Sequence, residues 1–72
     1  MDRLTGKKIF RAVFNFYEKY MSMTDLEQTV HIAEDEEEIL ALFRNDSEAY
    51  EFAKEMIQLM EKQIERKFNV KR

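Results

Sequence analysis

The chain has 72 residues, enough for one small domain near the lower size at which a chain buries enough surface to fold alone. It has no cysteine, which excludes a disulfide framework and a thiolate zinc site and suits a reducing, cytoplasmic compartment. Its 12% of aromatic residues argue against disorder, and its formal net charge of −3 against a nucleic-acid binder of the usual basic kind.

One glycine and no proline leave little turn chemistry for an all-β fold, so helices should dominate. No apolar run approaches the roughly 20 residues of a membrane span, and the basic start, Met1 to Arg11, is not followed by the unbroken apolar core of a signal peptide. Charge is uneven along the chain. Arg3, Lys7, Lys8 and Arg11 make one end basic, and Lys62, Arg66, Lys67, Lys71 and Arg72 the other. Residues 23–38 hold seven acids and no lysine or arginine.

In chain order, the first element is a helix over about residues 5–21. Ile9, Phe10, Val13, Phe14, Phe16, Tyr17, Tyr20 and Met21 fall in one arc of about 160° at helical spacing, with Lys8, Arg11, Asn15, Glu18 and Lys19 opposite. Thr5 is a candidate N-cap, and Ser22 with Thr24 and Asp25 marks the exit.

The middle reads best with period two. Over residues 26–33, Leu26, Gln28, Val30 and Ile32 alternate with Glu27, Thr29 and His31. Over residues 38–43, Ile39, Ala41 and Phe43 oppose Glu38, Leu40 and Leu42. The acids between them would form a solvated turn. A single helix over residues 25–44 would scatter its apolar residues over three sides, although Thr24-Asp25-Leu26-Glu27 matches a capping box.

A second helix follows over about residues 47–68, capped from among Asn45, Asp46 and Ser47. Its apolar arc, from Ala49 and Tyr50 through Phe52, Ala53, Met56, Ile57, Leu59 and Met60 to Ile64 and Phe68, spans about 180°. The expected fold is therefore α+β: helix, strand, strand, helix, with two helices packed on an antiparallel β-hairpin in a single domain over residues 1–72. The alternative is an all-α three-helix bundle.

No residue pattern points to an enzyme, a cofactor or a metal. His31 is the lone histidine, and with Glu27 and Glu34 it falls short of the three or four ligands of a zinc site. Ser22 and Ser47 read as helix-end residues rather than nucleophiles, and Gly6 alone cannot build a phosphate loop. The apolar arcs, wider than the roughly 100° one neighbour covers, point to a binding surface and a homodimer, with another protein as a possible partner.

Tyr17, Tyr20, Leu40, Leu42 and Ile57, at arc edges or on the second sheet face, are the candidate contacts. The leading expectation is thus a small non-enzymatic interaction or regulatory module, of the size and composition of a bacterial or phage accessory protein. The alternative is a nucleic-acid-associated protein. There Lys7, Lys8, Arg11, Lys62, Arg66 and Lys67 would form one basic pole, provided the two helices run antiparallel. A further alternative uses Glu34 to Glu38 as an acidic phosphate mimic inhibiting a nucleic-acid enzyme.

Overall fold

The computed structural model describes residues 2–24 and 31–68. They form three helices, α1 Arg3–Met21, α2 Ile32–Leu42 and α3 Ser47–Phe68, and no strand occurs among them. The α+β expectation is overturned in favour of the three-helix alternative. Of the first expected strand, residues 26–30 lie outside the described residues, while residues 31–33 open α2. The second, residues 38–43, is the end of α2 and its C-cap, Phe43.

The reason lies in where the middle helix begins. Counted from residue 32, the inward positions are Ile32, Glu36, Ile39 and Phe43, a helical spacing of four, three and four. A glutamate holds one of those four places, which hides the stripe. Ala33, Leu40, Ala41 and the glutamates are strong helix formers, and Glu34 and Asp35 in the first turn suit the positive end of the helix dipole.

Local chemistry accounts for the other helix ends. Asp2, not Thr5, caps α1: its side chain accepts the Thr5 amide at 2.8 Å, which holds the Asp2 carboxyl below its usual range. At the far end Ser22 donates its amide to the Glu18 carbonyl and its hydroxyl to the Lys19 carbonyl, 3.0 Å away. Asp46 starts α3 by accepting the Ala49 amide at 3.2 Å.

The core joins Ile9, Val13, Phe16 and Tyr20 of α1 to Ala49, Ala53, Ile57 and Ile64 of α3, with Ile39 and Phe43 from the α2 side. The two longer helices run parallel. The Lys67 ammonium near the end of α3 donates to the carbonyl of Met21, which closes α1, and to that of Met23 at 2.6 Å. At the opposite end Thr5 and Lys8 share a hollow with Phe43, Asn45 and Asp46. The buried ladder of α1 matches that of α3 at an offset of about 44 residues, which also sets Met23 level with Lys67. The molecule measures 41 × 17 × 17 Å, so its two ends are far apart.

Candidate interaction surface

Two seams meet α2, and they differ chemically. On α1, its neighbours are Ala12, Asn15, Phe16 and Lys19, which border a shallow hollow with Asp35, Glu38 and Ile39. Asp35 accepts hydrogen bonds from the Tyr20 hydroxyl and from the Lys19 ammonium, the latter at 2.7 Å. Burial works to raise the Asp35 carboxyl, but the Lys19 and Tyr20 donors outweigh it and the net direction is down. Tyr20 is fully buried, and burial, then the bond to Asp35, pushes its hydroxyl well up.

On the α3 side Glu36 meets Glu61 and Glu65. One Glu36 oxygen is shut away from solvent with no hydrogen-bond partner among the described residues. Burial, then the Glu61 charge and a hydrogen bond shared with Glu61, raises the Glu36 carboxyl from 4.5 to about 7, with Glu65 adding to the effect.

Among the described residues no helix covers the remaining side of the α1–α3 pair. Residues advance about 100° around a helix. Phe10 and Phe14 on α1, and Phe52 and Leu59 on α3, therefore lie about 90° or more round from the faces that meet α2, flanking the α1–α3 seam on its far side. Their exposures are 59%, 45%, 39% and 58%. The Phe10 and Phe14 rings stack with centroids 5.9 Å apart. Half-buried Tyr17 and Met21 on α1, and Met56 and Met60 on α3, pack against the core beneath them. A shallow depression of about 230 Å³ lies around Leu59, between Glu55, Gln58 and Lys62. A smaller apolar spot, Leu4 and Leu42, sits at the end where α1 starts and α2 stops, with Leu42 71% exposed.

The five candidate contact residues are thus divided. Tyr20 and Ile57 are core, Tyr17 and Leu40 are half-buried against it, and only Leu42 stands open. With no sheet there is no second sheet face for Leu40 and Leu42 to occupy. The exposed aromatics Phe10, Phe14 and Phe52 belong to the same apolar arcs as the core residues. The available signal is the width of those arcs, since their edges extend beyond what one neighbouring helix covers.

The six basic candidates do not form one pole. Because α1 and α3 run parallel, Lys7, Lys8 and Arg11 stand at one end and Lys62, Arg66 and Lys67 toward the other. Lys67 is already engaged with the carbonyls that end α1. The acidic run Glu34 to Glu38 is not a turn but part of α2, wound around it. Asp35 binds α1, Glu36 faces α3, and Glu34, Glu37 and Glu38 are exposed.

His31, expected on a strand surface, is the residue before α2. It lies 3.4 Å from a Glu34 oxygen and is exposed. Among the described residues no acid or histidine group has the arrangement to hold a metal ion, and no helix is long and apolar enough to cross a membrane. Comparison with protein-family models, curated proteins and solved structures yields no match in any of the three.

Proposed function

We propose that this chain is a small non-enzymatic interaction module that self-associates through the apolar face flanking the α1–α3 seam. The observation that supports it is the uncovered quartet Phe10, Phe14, Phe52 and Leu59 on the side away from α2. Isolated apolar side chains at a surface are ordinary, but four large ones flanking one seam are the composition of an interface. The methionines beneath them, Met21, Met56 and Met60, are adaptable packers that suit a contact surface.

Sedimentation equilibrium over a concentration series into the high micromolar range tests this reading. The mass should rise from 8.8 kDa toward twice that value. Covering each of these side chains contributes on the order of 1 kcal/mol, so a Phe14→Ser, Leu59→Ser double variant should weaken a dimer by about 4 kcal/mol, on the order of a thousandfold. A wild-type chain that stays at monomer mass throughout would remove the reading.

A further inference from the structure

Resting on that self-associating reading, we infer that the occupant of the face is a second copy of this chain laid antiparallel across a two-fold axis perpendicular to α1 and α3. The charges bordering the apolar quartet carry the inference. Along the α3 flank next to Leu59 run Glu51 and Glu55, then Lys62 and Arg66, all exposed. None of the four makes an ion pair among the described residues, where the salt bridges are Lys19 to Asp35 and His31 to Glu34. The strip changes sign at its midpoint, between Gln58 and Leu59.

A strip that is acidic in one half and basic in the other is complementary to itself when turned end for end. With the axis level with Leu59, Glu55 faces Lys62 of the partner subunit and Glu51 faces Arg66 of the partner subunit, and each pairing occurs twice by symmetry. The α1 flank beyond Phe14 also changes sign, in the opposite order, with exposed Lys7 and Arg11 before it and exposed Glu18 after it. Turned about the midpoint of α1, Lys7 faces Glu18 of the partner subunit.

The two midpoints lie nearly level. At the register of about 44 residues between the ladders, the centre of the α1 pairing falls about two residues, or about 3 Å, from the centre of the α3 strip, within reach of long side chains. One axis therefore serves both helices.

Charge alone would also admit a parallel second copy, with Glu55 facing Arg11 of the partner subunit and Lys62 facing Glu18 of the partner subunit. Helix dipoles decide between the two. Within one chain α1 and α3 already run parallel, with their like ends together. A parallel copy would gather four positive helix ends at one pole, whereas an antiparallel copy sets each positive end beside a negative one.

The test is a charge-exchange cycle read by sedimentation, with circular dichroism confirming that each variant remains helical. Glu55 and Lys62 are exposed and two turns apart on α3, so neither contacts the other within one chain. Glu55→Lys alone and Lys62→Glu alone should each weaken the dimer about tenfold, since each creates two like-charge contacts. The double variant Glu55→Lys, Lys62→Glu should return within about threefold of wild type.

A wild-type dimer whose affinity ignores these exchanges overturns the antiparallel arrangement and leaves self-association standing. So does rescue of Lys62→Glu by Glu18→Lys in place of Glu55→Lys, which is the signature of the parallel copy. A wild type that is monomeric throughout overturns both.

Discussion

The α1–α3 seam and the docking of α2 are built on different principles. Between α1 and α3 lie four buried side chains from each helix, and Ile9, Val13 and Tyr20 recur at the same intervals as Ala53, Ile57 and Ile64. A polar tie lies at the far end, where Lys67 closes the terminus of α1. The shorter helix α2 buries Ile39 and, just past its end, Phe43. Half-buried Ile32 and Leu40 pack beside them, Asp35 is held by Tyr20 and Lys19, and an acid, Glu36, takes an inward place. Apolar contact is long and continuous in the first seam, while the second is shorter and places an acid among its inward residues. Length and dryness mark the α1–α3 pair; a shorter apolar contact and a few polar ones hold the third helix to it.

Truncating the two seams separately should expose that contrast. Ile57→Ala removes a fully packed side chain between α1 and α3 and should cost about 2–5 kcal/mol in urea unfolding, lowering protection of amides in all three helices. Ile39→Ala should cost toward the lower end of that range. Its effect on hydrogen exchange should concentrate in α2, with the α1 and α3 amides largely unchanged. Equal loss of protection everywhere would mean that α2 is as integral as the other two helices.

The polar tie can be cut without opening a cavity. Tyr20→Phe keeps the ring and its edge contact with Phe16, whose centroid is 5.2 Å away, and removes only the bond to Asp35. A hydrogen bond to a charged group contributes about 1.5–3 kcal/mol, partly retained here because Lys19 remains, so a loss near 1–2 kcal/mol is expected.

Glu36 makes the second seam sensitive to pH in a definite direction. Its ordinary value is 4.5 and its folded value about 7, so between these the folded chain holds a proton the unfolded chain has released. The stability from this group is complete below about pH 4.5 and declines as pH rises through 7. Asp35 acts oppositely: its folded value is lowered, so its contribution is present above its usual 3.8 and is lost as pH falls through the folded value. Stability of the wild type should therefore peak in mildly acid solution. Glu36→Gln should remove the decline on the alkaline side and stabilise the protein at pH 8 by about 1 kcal/mol, the scale of an unpaired buried polar group.

The smallest expected effect lies at the start of α3, where Asp46→Ala removes the cap on Ala49 at a cost of about 1 kcal/mol by thermal melting. It should affect both seams alike, since α3 borders each.

Much of this architecture can be read in the residues, and the part that cannot has a physical cause. The arcs of α1 and α3 are unambiguous because Ile9, Val13, Phe16 and Tyr20, and later Ala53, Ile57 and Ile64, recur with helical spacing in polar surroundings. The period-two pattern around Ile39, Ala41 and Phe43 competes with the helical one because Glu36 breaks the stripe from Ile32 to Phe43. Only the facing helix shows the surroundings of that acid, where burial and the Glu61 charge raise its carboxyl. The exposed apolar face was legible in part. The excess width of both arcs signals it, but spacing alone does not say which edge stays open: Tyr20 and Ile57 are buried, while Phe10, Phe14, Phe52 and Leu59 are exposed. The parallel run of α1 and α3, which separates the two basic ends, depends on a middle helix that reverses the chain.

Isotope-filtered nuclear Overhauser spectroscopy on a mixture of labelled and unlabelled chains tests most directly whether a second copy covers the open flank of α1 and α3. Contacts between molecules should run from the Leu59 methyls and the Phe10 and Phe14 rings and leave the Leu42 methyls silent. An absence of such contacts at high concentration, or contacts confined to Leu4 and Leu42, would contradict it.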